Sequence, residues 1–181
     1  MNKKFVTVFG SSIPRLGDTE YEIAYRLGKN LAMNGFNVCT GGFLGIMEAV
    51  SKGAVEFNSE AIGVTLDIYN VKPNQYITKE IKCSSLFERI RNLIEIGSAF
   101  VILKGGTGTL LELAVVWEYM NKNMMVEKPI ACHSSLWKDI VIKMEEQIAK
   151  ENRKTGLVQP FDNIDECAGY IISKLNNIER S

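Results

Sequence analysis

Ala99-Phe-Val-Ile-Leu103 runs directly into Lys104-Gly105-Gly106-Thr107-Gly108-Thr109 and on into Leu110-Leu111-Glu112. A short run of consecutive apolar residues reads as a parallel strand buried on both faces. Three glycines in the next few positions let the backbone turn sharply and pass close to a ligand, because no Cβ stands in the way. A helix is predicted to open at Thr109. The first N–H groups of a helix lack internal partners, and its dipole favours negative charge there. Strand, glycine loop and helix start therefore make an anion site, and phosphate binding is the first functional inference.

Thr109-x-x-Glu112 also has the form of a capping box, in which the two side chains satisfy each other's orphan N–H groups. A helix start needs no more than that. Two features ask for a further role. A strand-to-helix link of this kind is made with one glycine, not three. The helix itself (Leu110, Leu111, Leu113, Ala114, Val115, Val116, Trp117) is apolar on every face, which predicts burial all round. Glu112 would then share its side with Val115, Val116 and Tyr119, where a carboxylate is costly without a partner or a task.

On either side of this stretch, strands alternate with helices. Phe5–Phe9 reads as the first strand, followed by Gly10-Ser11-Ser12 and a loop to Asp18. Thr19-x-x-Glu22 is a capping box opening a helix through Met33, which Asn34-Gly35 ends. Phe36–Thr40 is a second strand, Gly41-Gly42-Phe43-Leu44-Gly45 a second glycine loop, and Ile46–Phe57 a helix. A strand at Ala61–Thr65, an irregular excursion over Asp67–Gln75 and a strand at Tyr76–Cys83 follow. Ser85-x-x-Glu88 caps a helix to Ile96. Beyond the apolar helix, Pro129–Cys132 is a strand, Ser135–Glu151 an amphipathic helix, Asn152–Asp162 a loop and Asp165–Asn177 a terminal helix. This alternation predicts an α/β fold: a Rossmann-like, doubly wound, mostly parallel sheet with helices on both faces, residues 1–181 forming one domain. Ligands in such sheets sit beyond the carboxyl ends of the strands. The loops at Gly10, Gly41–Gly45 and Lys104–Thr109 all follow strands, so one shared cleft is expected.

The 181 residues carry 21 basic and 21 acidic side chains, so net charge gives no case for nucleic acid or an anionic membrane. No run approaches the roughly 20 apolar residues of a membrane span, and the short apolar start is not a signal peptide. Cys39, Cys83, Cys132 and Cys167 are scattered without a CxxC, which argues against zinc or a redox pair and for reduced cytoplasmic thiols. No metal and no cofactor is expected.

Neither G-x-G-x-x-G in the first turn nor G-x-x-x-x-G-K-[ST] is present, so dinucleotide binding and nucleotide-triphosphate hydrolysis lose support, and a single phosphate fits better. Arg89 and Arg91 flank the apolar stripe of the helix opened by Ser85. A surface arginine lying along that stripe explains either. Arg89, however, falls early in the helix, where a cation opposes the dipole, and this suggests a duty in the cleft. His133 reads as a structural or surface histidine, Met120, Met124 and Met125 as core or interface filling, and Glu145-Glu146 as a solvated helix face.

Gly41-Gly42-Phe-Leu-Gly45-Ile-Met47 together with Gly105-Gly106-Thr-Gly108-Thr109-x-x-Glu112 resembles the LONELY GUY (LOG) family, over Val8 to about Pro129. Gly10-Ser11-Ser12 matches too. The resemblance implies a homodimeric phosphoribohydrolase, cleaving a nucleoside 5′-monophosphate such as a cytokinin riboside monophosphate or an AMP-like nucleotide to free base and ribose 5-phosphate. It selects Arg89, 23 residues before Glu112, and makes Arg89 and Glu112 the catalytic pair. Gly106, Thr107, Gly108 and Thr109, with Gly105, would hold the phosphate, and Gly10, Ser11, Gly41, Gly42 and Gly45 would shape the substrate cleft. Three positions depart from the pattern: Lys104 replaces a proline, Ile90 replaces a lysine, and Gly41-Gly42 replaces a glycine triplet. The missing lysine leaves open a non-catalytic carrier of a nucleotide or of molybdenum cofactor. A lysine decarboxylase using pyridoxal phosphate would have only Lys104 beside the anion site.

Overall fold

The computed structural model describes residues 4–67 and 71–178. Seven strands form one wholly parallel sheet: β1 (Phe5–Phe9), β2 (Asn37–Thr40), β3 (Ala61–Leu66), β4 (Lys79–Cys83), β5 (Gly97–Ile102), β6 (Ile130–His133) and β7 (Val158–Phe161), in the order β4-β3-β2-β1-β5-β6-β7. The helices are α1 (Thr19–Met33), α2 (Ile46–Val55), α3 (Leu86–Ile96), α4 (Thr107–Asn121), α5 (Ser135–Lys150) and α6 (Ile164–Ile178). Successive side chains of a strand point to opposite faces, and the strand sequences use this. Val6 and Val8 of β1 join Leu27, Val50 and Ile171 in the core under α1, α2 and α6. Phe9, with Phe100 and Ile102 of β5, joins Leu93, Leu113 and Trp137 under α3, α4 and α5. The expected Rossmann-like α/β architecture is the one observed. The sheet is parallel throughout, not only for the most part.

The differences have local causes. The stretch 152–162 is not all loop, because it contains β7. Pro160 argues against a strand, yet β7 pairs only with β6, and an edge strand can dispense with one N–H. The capping box at Thr19 does not form: Asp18 is the N-cap and its Oδ2 accepts from the Arg15 N–H, while Glu22 reaches back to the Gly17 N–H at 3.3 Å. Half of the excursion over 67–75 is now explained. Asn74, nearly buried, donates from its Nδ2 to the Phe43 carbonyl and from its backbone N–H to the Gly42 carbonyl, pinning the excursion to the second glycine loop. Residues 68–70 of that excursion lie outside the described residues, as do Met1-Asn2-Lys3. All four cysteines are buried free thiols. Glu145 is not simply solvated: its Oε2 accepts from the Gly156 N–H.

Candidate active site

The chain leaves the central strand in both directions, through β2, β3 and β4 on one side and through β5, β6 and β7 on the other. The loops after β1 and β5 therefore part at the carboxyl edge, and a crevice opens between them. A cavity of about 470 Å³ occupies it. Gly10 and Ser11 after β1, Gly41 after β2, and Gly106, Thr107, Gly108 and Thr109 at the start of α4 line one cavity with Arg89 and Glu112. Gly42, Gly45 and Gly105 are not among its lining residues and act from behind. Gly42 and Gly45 take φ of 79° and 69°, a region that suits glycine, to turn the loop into α2.

The helix after β5 starts two residues earlier than predicted. Gly106 is its N-cap, and no side chain caps it. The Thr109–Glu112 capping box is therefore absent. Thr109 is buried within the first turn, and a Cβ placed on Gly105 would stand 2.1 Å from its hydroxyl oxygen. Gly105 thus makes room for Thr109, while Gly106 and Gly108 have open space where a side chain would be. Starting the helix at Thr107 moves Glu112 into the second turn, out of capping reach and onto the cavity wall.

Glu112 is buried, 9% exposed, and meets an equally buried Arg89 on α3. Arg89 Nη1 donates to Glu112 Oε1 at 3.2 Å, and Arg89 Nε donates to the Val64 carbonyl of β3 at 2.8 Å. Gly41 completes the seat. A Cβ there would lie 1.8 Å from Arg89 Nη2. Burial pushes the Glu112 carboxyl up to about 7, even though the Arg89 charge pulls it down. The cavity thus holds a carboxyl that titrates near neutrality beside a fixed cation, a few residues from a helix N-terminus with unpartnered N–H groups.

Arg91 is exposed. Lys104 adds no charge to the cavity: its Nζ meets Glu20 Oε1 at 2.6 Å on the outer side of the loop. Ile90 does line the cavity, and so do Phe43, Met47, Leu66 and Leu111. The last four were not legible as site residues, because an apolar side chain at a strand or helix end looks like any core residue. Only their positions at the carboxyl edge could have marked them. His133 is not among the lining residues. Met120 is core and Met124 is exposed. No group of three or more His, Cys, Asp or Glu able to hold a metal ion occurs among the described residues.

A family model for the SLOG cluster4 family matches residues 3–164. The chain belongs to that family. It is LOG-like, as the two glycine motifs led one to expect. Among curated relatives of this SLOG cluster4 chain, a pyrimidine/purine nucleotide 5′-monophosphate nucleosidase of Escherichia coli is 31% identical over 107 residues, 54% of this chain. The match spans only 24% of that relative's length. A cytokinin riboside 5′-monophosphate phosphoribohydrolase of Rhodococcoides fascians is 25% identical over 65% of this chain and 62% of its own. Among solved structures, the molybdenum cofactor binding protein of Rippkaea orientalis superposes with a TM-score of 0.75 at 22% identity, covering 98% of both chains. That likeness establishes the shared fold.

Proposed function

We propose that this protein hydrolyses the N-glycosidic bond of a nucleoside 5′-monophosphate, releasing the free base and ribose 5-phosphate. The observation that carries the reading is the buried Arg89–Glu112 pair on the wall of the cavity that also receives the N-terminus of α4. The names of the Escherichia coli and Rhodococcoides fascians relatives support it. The 5′-phosphate sits on the N–H groups of Thr107, Gly108 and Thr109, whose dipole favours a dianion. As the C1′–N bond breaks, its electron pair leaves with the base and positive charge grows on the sugar. The ionised Glu112 carboxylate opposes that charge and orients the attacking water, whose oxygen joins C1′. One proton of the water ends on the base and the other on the new C1′ hydroxyl, so the reaction balances without a cofactor. Arg89, held by Val64 and Glu112, opposes the effect of burial so that the carboxyl still ionises near neutral pH, and it faces the substrate. The apolar wall of Phe43, Met47, Leu66 and Ile90 receives uncharged portions of the ligand.

A second copy completes the assembly in this reading. Leu86 and Leu111 line the cavity, while their neighbours Phe87 (77% exposed) and Leu110 (41% exposed) stand outside it. The predicted all-round burial of α4 is not reached within one chain, and a homodimer would cover this rim.

The alternative, a carrier of a nucleotide or of molybdenum cofactor, is favoured by one observation. Ile90, 3% exposed, puts an apolar side chain on the cavity wall where the resembled pattern has a lysine. The two readings part in one experiment. The purified protein is incubated with a panel of nucleoside 5′-monophosphates and free base is followed by chromatography, with Glu112→Ala as control. Base release that the variant loses is the expected result. A bound ligand retained through purification with no release from any monophosphate would overturn the hydrolase and establish the carrier.

A further inference from the structure

A second cavity of about 480 Å³ lies at the opposite edge of the sheet. Its walls include Pro129 and Leu157, the residues just before β6 and β7, so it opens at the amino edge of the parallel sheet, whereas the first cavity lies at the carboxyl edge. Lys128, Lys154 and Lys174 converge there, with Glu127 as the sole acidic residue of the lining among the described residues. That is an uneven gathering in a chain whose charges cancel overall.

The partners of these lysines matter more than their number. Lys154 is paired with Glu127. Lys128 donates to the Ile94 and Gly97 carbonyls, at 3.2 and 2.6 Å, and lies over the Phe100 ring. Lys174 lies over the ring of Tyr170. Among the described residues neither Lys128 nor Lys174 has a carboxylate within ion-pair distance. Lys128 is half-buried, and burial holds its ammonium below the ordinary lysine range. A partly desolvated cation held by dipoles and feeling only the more distant charge of Glu95 gains from a counter-ion, since buried charge is stabilised chiefly by pairing.

We propose that this cavity binds the phosphate group of a small molecule, with Lys128 and Lys174 as its counter-charges and the faces of Tyr170 and Leu157 as the walls for the rest of the ligand. The site stands apart from the catalytic cavity and does not rest on the hydrolase reading. It does touch the machinery at one remove, because the carbonyls that hold Lys128 lie at the far end of α3, the helix that carries Arg89.

Residue-resolved NMR of the ¹⁵N-labelled protein, titrated with inorganic phosphate at constant ionic strength, tests this. The expected result is a saturable shift of the Gly156, Leu157 and Lys174 amides, with an affinity lowered at least tenfold in Lys174→Met and in Lys128→Met. Lys174 is exposed, so its variant should fold, and the far-ultraviolet circular dichroism of Lys128→Met checks that the half-buried position tolerates the change. A parallel titration with ribose 5-phosphate separates the sources: tighter binding means that the cavity holds a sugar phosphate, and equal binding that it holds phosphate alone. Shifts at these amides that chloride reproduces, or that survive both substitutions unchanged, would overturn the proposal. Saturation confined to residues 106–109 would also overturn it while leaving the hydrolase standing. The reverse pattern would sink phosphate binding at α4 and leave this site intact.

Discussion

At the residue scale the decisive group is Glu112, whose carboxyl burial pushes up to about 7. A carboxylate that opposes developing positive charge must be ionised, so kcat/KM is expected to rise with pH through a single ionisation near 7. Glu112→Gln should remove that limb and lower kcat about 100- to 1000-fold, in the range seen when one electrostatic stabiliser is lost. Arg89 holds the value down, so Arg89→Met should move any remaining limb to higher pH. The shift acts on stability with a definite sign. The folded chain holds this proton more tightly than the unfolded one, so the contribution is complete below about 4.5 and is lost as pH rises through about 7. Thermal melts of wild type against Glu112→Gln across that window check it: the wild type should lose ground as pH rises. Gly41 supplies a second test. A Cβ there would lie 1.8 Å from the Arg89 guanidinium, so Gly41→Ala should abolish activity about as thoroughly as Arg89→Ala. In an Arg89→Ala background the same substitution should cost less stability, because the clash with the guanidinium has gone and only the flexible Met47 side chain, whose Sδ would lie 2.7 Å from the new Cβ, must give way; full additivity in the double-mutant cycle would refute this seat for Arg89.

At the scale of elements, α3 is the piece whose placement matters, and both its ends are tied. Ser85 Oγ accepts from the Glu88 N–H, and Glu88 Oε2 accepts from the Ser84 N–H and hydroxyl. Further along, the buried Thr7 hydroxyl donates to the Leu93 carbonyl. Ser85→Ala should lower stability by about 1 kcal/mol, the usual cost of a lost N-cap, visible as a lower urea midpoint at unchanged slope. Elements of this kind were legible because their signals are local. The Ser85 box, the run Phe5–Phe9 and the helix end at Met33 need only neighbouring residues to be read. The capping boxes at Thr19 and Thr109 misled for the opposite reason. Whether Thr109 caps or packs is decided by Gly105 folding back over it, and whether Asp18 or Thr19 caps is decided by Arg15. β7 was illegible because Pro160 is tolerated only at a sheet edge, and edge position belongs to the topology. In the candidate site, glycines and charges stood out, whereas Phe43, Met47 and Leu66 did not, since their apolar side chains carry no mark of facing a ligand.

At the scale of the whole molecule, the two helical layers differ in what they leave uncovered. On α4, Leu113, Val116, Trp117 and Met120 are buried against the sheet, while Leu110 and Ala114 remain open to solvent. Phe87, at the start of α3, is more open still. These residues stand beside Leu86 and Leu111, which belong to the cavity wall, so whatever covers them also closes the site. An exposed apolar rim next to a cavity marks an interaction surface more often than it marks a free face. A second copy related by a two-fold axis would place the same rim against itself, which is the simplest way for one sequence to bury it. Sedimentation equilibrium is therefore expected to give twice the chain mass. Phe87→Glu with Leu110→Glu should yield monomers that keep the far-ultraviolet circular dichroism of the wild type. Because the partner would wall the cavity, those monomers should also lose base-releasing activity. A wild type that sediments as a monomer at micromolar concentration, or a charged-rim monomer with full activity, would show that one chain suffices and that the rim faces water.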